Sequence, residues 1–190
     1  MVAIDQIKYE SNQYEAPLKE LGASLDLTNK KLRVEEIEGI MEEEGFWNDA
    51  DKAQSYMKEL KNLKDTIQEY KELEAKYEDL YDYVKALIAM RKAHPAFHMG
   101  SADAVRTNLT FLPYKGTNVI AYHLNGAAVG DDWSDIIVIL NSRSKAARVT
   151  VPQGNYTVVC QDGKISASGI TKVKGKSVNV PAQSAIIMYK

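Results

Sequence analysis

Few residues in this 190-residue chain have both the type and the spacing to do chemistry. His94 and His98 stand four apart, an interval at which two imidazoles on one helix face can share a metal ion. Pro95 lies between them and breaks a helix there, and no nearby carboxylate completes a ligand set. Asp131 and Asp132, with Asp135, could offer oxygen ligands to calcium, but a solvated acidic turn is the simpler reading. His123 falls in a run of strand formers, where packing or a hydrogen bond accounts for it. Cys160, the only cysteine, also falls in a strand run and reads as a small core residue. Tyr114, Tyr122, Trp133 and Tyr156 carry amphipathic rings able to stack on sugars, or to fill a core. The expectation is therefore no catalytic residue, no cofactor and no metal site.

The elements that would position these residues differ between the two ends of the chain. Residues 1–80 hold three glycines and one proline and are dominated by helix formers. A first helix is expected over about Ile4 to Ser24, with Ile4, Ile7, Tyr14, Leu18 and Leu21 as its stripe and Pro17 as a kink or interruption. A second opens near Asp26 or Thr28, carries Val34, Ile37, Ile40 and Met41 inward, and ends at Gly45. Asn48 or Asp49 caps a third, with Phe46 or Trp47 placed for a hydrophobic staple. From Ala53 through Met57, Leu60, Leu63, Ile67, Tyr70, Leu73, Tyr77 and Leu80 the apolar steps alternate between three and four, close to a coiled-coil seam. The stripe continues through Val84, Leu87 and Ile88 until His94-Pro95, so one helix of about 65 Å is expected from Asp49 to Ala93.

After Pro95 the period changes to short β-branched and aromatic runs between turn residues. Strands are expected at Leu109–Leu112, Val119–Leu124, Ile136–Asn141, Ala147–Val151, Tyr156–Cys160, Lys164–Ser166, Ser177–Val180 and Ala185–Tyr189, with turns at Gln153-Gly154-Asn155, Asp162-Gly163 and Lys174-Gly175-Lys176 among others. Ile136 to Leu140 is apolar on both faces and suits a central strand. The fold class is α+β in two segments. An antiparallel helical hairpin or bundle with a long third helix is followed by an antiparallel β-sandwich of about eight strands.

Charge divides at the same place. The net −2 conceals 20 Asp+Glu against 11 Lys+Arg in residues 1–80, and 6 against 13 in residues 81–190, which contain no glutamate. Such asymmetry is a sign of separate origins or partners. The acidic half argues against a nucleic-acid surface, and no apolar run approaches the ~18–20 residues of a membrane helix. The N-terminus lacks a signal-peptide pattern, and a cytoplasmic location is expected.

Two resemblances follow. Leu18-Lys19-Glu20-Leu21, Ser24-Leu25-Asp26-Leu27 and above all Gly45-Phe46-Trp47-Asn48-Asp49, with Lys52-Ala53 and Met57 to Asp65, make residues 1–80 similar to the N-terminal helical domain of bacterial peptide chain release factor 2. Leu87 to Phe97, Asn118 to Asn125, Trp133 to Ile139 and Val180 to Ala185 make residues 81–190 resemble the C-terminus of a type I pullulanase, a starch-debranching member of the α-amylase superfamily. The implied domains are a hairpin over 1–80, a last barrel-type helix over 81–95 continuous with the helix before it, and a sandwich over 96–190.

The chemistry implied by either resemblance is missing. A release factor would need a Gly-Gly-Gln loop and a Ser-Pro-Phe tripeptide, yet no two glycines are adjacent and no proline follows a serine. A pullulanase would need two Asp and a Glu on barrel strands, and residues 81–190 supply no Glu. The expected function is a non-catalytic chimera, an accessory sandwich on a release-factor-like scaffold, and not an enzyme. The alternatives are an α-glucan-binding module and a ribosome-associated remnant in which Trp47 faces the ribosome. The expected partners are a second copy through the apolar helix stripe and, weakly, α-glucan, with no nucleic acid and no membrane. Val84, Leu87 and Ile88 are expected to be covered by the first helix, near Ile4, Ile7 and Tyr14, or by a second copy.

Overall fold

The computed structural model describes Tyr9 and residues 13–190. They fall into two compact units, Met1–Tyr81 and Asp82–Lys190. Four α-helices lie among the described elements: α1 (Glu15–Ser24), α2 (Leu27–Glu42), α3 (Ala50–Ala93) and α4 (Ala102–Asn108).

In the first unit Pro17 occupies the first turn of α1, where its missing N–H has no intrahelical partner to lose. Tyr14, between the helical Gln13 and Glu15, is a turn, so the expected first helix is interrupted beside Pro17. Asp26 separates α1 from α2 in a left-handed conformation, φ +50°. Its carboxylate accepts from Asn29 Nδ2 at 2.8 Å and does not cap α2. Gly45, at φ +91°, turns the chain into a short 3-10 segment, Phe46–Asn48. Asp49 then caps α3, its Oδ1 accepting from the Lys52 N–H at 3.0 Å. Of the two residues suited to the staple, Phe46 is buried and Trp47 is 59% exposed.

α2 lies antiparallel to the adjoining part of α3, with Ile37 fully buried. Arg33 bridges Glu59 through Nε and Nη2 at 2.8 and 3.1 Å, and Lys64 reaches Glu38 at 2.6 Å. These pairs are solvent-exposed, so they set the pairing of the helices more than their stability. α1 is held by the Tyr70 hydroxyl, which donates to the Leu18 carbonyl at 3.2 Å.

The second unit is built on one antiparallel sheet of seven strands: β1 (Leu109–Phe111), β2 (Val119–Asn125), β3 (Asp135–Asn141), β4 (Ala147–Gln161), β5 (Lys164–Ile165), β6 (Thr171–Val180) and β7 (Ser184–Tyr189). The order is β1-β2-β3-β7-β4-β5, with β6 also on β4. Two of the expected strands are one. Gln153-Gly154-Asn155 is no turn, because Gly154 pairs with Gly175 across β4 and β6, and a register shift between Thr150 and Gly154 absorbs the irregularity. Lys174-Gly175-Lys176 likewise runs within β6. Asp162-Gly163 is a true two-residue hairpin loop, with φ +51° and +70° between the paired Gln161 and Lys164.

The first part of β4 pairs only with β6, and its last residues pair with β7 as well. The β4–β6 ribbon therefore folds over one face of the sheet, where Val149, Val178 and Val180 pack with Ile137, Ile139 and Met188. On the opposite face Tyr83, Leu87 and Met90 of α3 pack against Ile136, Val138, Cys160 and Ile187. Both faces of β3 are thus covered, and Ile136 to Ile139 are all buried.

This packing corrects the expected cover of Leu87. The sheet of its own unit packs against it. Ile4 and Ile7 lie outside the described residues, and Tyr14 is 66% exposed. A second departure is α4, which the sequence reading left without an element. Ser101 caps it, accepting from the Ala104 N–H at 3.1 Å.

Candidate functional site

The residues singled out in the sequence mostly converge on the second unit, and there they serve as its joints. α3 ends at Ala93 because the residue before a proline avoids the α region, and His94 is extended, at φ −114° and ψ 106°. That turn carries the imidazole to Asp131, with Nδ1 2.8 Å from Oδ1. The Asp131 side chain is fully buried. It also accepts from the Ala96 N–H at 3.0 Å and the Trp133 N–H at 2.9 Å. Burial alone would raise this carboxyl, but the hydrogen bonds from His94, Trp133 and Ala96 outweigh it and hold it below the usual range. The ring of His94 stacks on Trp133 at 3.5 Å, and Trp133 stacks on Tyr189 at 4.2 Å.

A second acid-histidine pair lies at the end of β2 and β3. His123 Nε2 is 2.7 Å from Asp135 Oδ1, and Lys190 Nζ approaches Oδ2 at 3.3 Å. Burial works to raise Asp135, and these partners together bring it below its ordinary value. Asp131 and Asp135 are therefore committed to different partners, and Asp132 is exposed. The three do not form one oxygen cage. His98 is exposed, while His94 is engaged with Asp131. Among the described residues no group of three or more His, Cys, Asp or Glu is placed to hold a metal.

Cys160 is buried, with Sγ 3.5 Å from the Tyr83 hydroxyl. Burial pushes the thiol up, and it pushes the Tyr83 phenol up to about 12, with help from its bond to Cys160. Neither group is poised as a nucleophile at neutral pH.

Trp133 and Tyr156 are buried, and Tyr156 donates to the Pro152 carbonyl at 2.8 Å. Tyr114 is half-buried and bonded to Arg143. Buried as they are, Trp133 and Tyr156 present no free ring face. Tyr122 is half-buried on β2 and belongs to a different setting. It lines a cleft of about 300 Å³ with Arg91, Phe97, His98, Met99 and Leu109, among others. Its ring meets Phe111 edge to face at 6.3 Å. Phe111 is 70% exposed. Sequence reasoning missed Phe111. The three-residue β1 run offers no sequence signal for it, and only the register Phe111–Tyr122 brings the two rings to one face.

Two family models match the chain: the PCRF domain over residues 30–110 and the pullulanase all-beta domain over residues 105–164. The pullulanase of Bacillus subtilis (strain 168) is 34% identical over 113 residues, covering 59% of this chain and 15% of that protein. Peptide chain release factor 2 of Clostridium perfringens (strain SM101 / Type A) is 44% identical over 63 residues, covering 33% of this chain and 17% of that protein. Among solved structures, a pullulanase from Bacillus acidopullulyticus superposes with a TM-score of 0.57 at 36% identity, over 61% of this chain and 14% of that one. The type I pullulanase of Bacillus subtilis str. 168, complexed with maltose, gives 0.51 at 27% identity, over 74% of this chain and 17% of that one. The chain thus spans about a sixth of the length of these relatives.

Proposed function

We propose, from the premise that the chain is a chimera of one part similar to release factor 2 and one part similar to the all-beta domain of pullulanase, that it is non-catalytic. In this reading the sheet unit is an accessory domain carried on a helical scaffold. One observation carries the proposal: Asp131 and Asp135 are each tied to a histidine, in a segment with no glutamate to act as an acid. The reading places the chain in the cytoplasm, where a lone thiol such as Cys160 stays reduced. It also includes self-association through α3, on which Leu73, Leu80 and Tyr81 are exposed. Sedimentation velocity across a hundredfold concentration range tests that part, and one unchanging monomer boundary would refute it. For the main proposal, purified protein is incubated with pullulan, starch and peptidyl-tRNA. No release of reducing sugar or of peptide above buffer is expected, and turnover that co-purifies with the chain would overturn it.

A second reading is α-glucan binding. What favours it is the exposed ring of Phe111 beside Tyr122 and its cleft. Affinity electrophoresis through gels containing pullulan or amylopectin tests it, and retardation relative to a glucan-free gel is the expected result.

A further inference from the structure

We infer that the cleft between the exit of α3 and strands β1 and β2 is a binding site for a small organic carboxylate with an apolar body. The last turn of α3 brings Arg91 to it, the segment after Pro95 brings Phe97, His98 and Met99, and β1 and β2 bring Leu109 and Tyr122. Arg91 donates from Nη1 to the Phe97 carbonyl at 2.6 Å, which ties its guanidinium to the wall of the cleft. Its Nε–Nη2 edge, the edge that Arg33 gives to Glu59, has no acceptor among the described residues. Such an edge matches the two oxygens of a carboxylate, and charge-assisted hydrogen bonds of this kind are roughly twice as strong as neutral ones. The neighbouring carboxylates are already engaged. Asp131, bonded to the lining residue Ala96, is paired with His94, and Asp103 on α4 is paired with Arg106 at 2.6 Å. No carboxylate lines the cleft, so the arginine charge is uncompensated there.

Two further polar groups border the site. His98 is exposed and carries a ring N–H in either charge state. Tyr122 is half-buried, and its phenol has no hydrogen-bond partner among the described residues. Phe97, Met99 and Leu109 supply apolar surface. Small-molecule sites are mostly apolar with a few polar groups that orient the ligand, and this cleft has that balance. Its volume, about 300 Å³, is at the lower limit of such sites and admits an apolar body of about six carbons. A bare inorganic anion would leave the apolar wall wet, and a cation would meet Arg91 with no counter-charge. The site is independent of glucan binding through Phe111, which is not among its lining residues. One charge-assisted contact in an exposed cleft gives an affinity on the order of millimolar.

The test is a proton–nitrogen NMR titration of the full chain with hexanoate. Hexanamide, which keeps the body and lacks the charge, and inorganic phosphate, which keeps the charge and lacks the body, are titrated beside it. Hexanoate should shift the amide signals of His98, Met99 and Leu109 and saturate at concentrations on the order of millimolar. Hexanamide and phosphate should each bind about fivefold more weakly or not at all. Arg91→Gln should lose about fivefold in affinity for hexanoate, and His98→Ala, at an exposed position, about twofold. Arg91→Gln decides if its thermal melt matches wild type, and otherwise His98→Ala decides. Absence of a saturable shift at these residues, equal binding of hexanamide or of phosphate, or full hexanoate affinity in the deciding variant would overturn the site.

Discussion

His94 Nδ1 lies 2.8 Å from Asp131 Oδ1 while the same imidazole stacks on Trp133 at 3.5 Å. One side chain at the end of α3 is thereby fixed in two directions, by a carboxylate below and an indole beside it. Asp131 also holds the backbone N–H groups of Ala96 and Trp133, so it joins the helix exit to the approach to β3. Removing it would leave two buried backbone donors and the part-buried His94 Nδ1 without this acceptor. Asp131→Ala should cost about 3–5 kcal/mol, the range for breaking a buried hydrogen-bonded charge. Urea denaturation followed by near-UV circular dichroism measures it, and a loss under about 1 kcal/mol would show that the joint lies elsewhere.

The same carboxylate sets a pH dependence. Its folded pKa is depressed below the ordinary 3.8. A depressed group contributes stability that is fully present above the unfolded value and is lost as pH falls through the folded one. Asp135 is depressed in the same sense. Unfolding free energy should therefore hold steady above about pH 5 and decline below about pH 4. Asp131→Asn should be less stable at neutral pH and should lose less on acidification than wild type does. Parallel acid profiles for the two proteins would contradict the assignment.

Phe46 and Trp47 are adjacent, aromatic and opposite in setting. Phe46 is 6% exposed, with its ring 5.9 Å from Tyr56, and Trp47 is 59% exposed. Phe46→Ala should destabilise the helical unit by about 3–5 kcal/mol, and Trp47→Ala by about 1 kcal/mol or less. Helical melting by far-UV circular dichroism separates them. Comparable losses would mean that the two rings support the turn jointly.

Two glycines within helices should respond with opposite signs. A Cβ at Gly39 would meet nothing within 4 Å, and Gly39→Ala should stabilise by about 0.5–1 kcal/mol through helix propensity alone. A Cβ at Gly22 would lie 2.7 Å from the Tyr70 hydroxyl, which is bonded to Leu18. Gly22→Ala should destabilise despite the same propensity gain, because the tyrosine must move and give up its acceptor. Thermal melts of the two variants read the signs directly, and a stabilised Gly22→Ala would show that Tyr70 yields freely.

The long α3 was legible because its three-and-four spacing is sustained without glycine or proline from Ala50 to Ala93. The central β3 was legible because a run apolar on both faces needs cover on both, and it has it. Gly154 and Gly175 misled the strand count. Each resembles a turn residue alone, and only their pairing across β4 and β6 reveals a close approach of two backbones within one ribbon. The His94–Asp131 joint was hidden for a different reason. Both residues were noticed, but 37 positions separate them and no local pattern links them. Phe111 was overlooked because a three-residue edge strand carries too little periodicity to say which side chain faces outward.

The underside of the sheet unit gives the last prediction. Tyr83 and Leu87 stand one helical turn apart on α3 and both pack against the cluster around Val138, Cys160 and Ile187. Leu87 is only partly buried, so Leu87→Ala should cost about 1–3 kcal/mol, below the loss for a fully enclosed leucine. Cys160 lies beneath the same contact, so its reactivity reports whether the helix stays docked. In the native protein the thiol is buried and its pKa raised, and it should react with a disulfide reagent at pH 8 far more slowly than in 6 M urea. Leu87→Ala should speed labelling in native buffer by loosening the cover, whereas Phe111→Ala, at the exposed edge, should leave the rate unchanged. Rapid labelling of the wild-type thiol, or identical rates in all three proteins, would mean that α3 does not seal this face of the sheet.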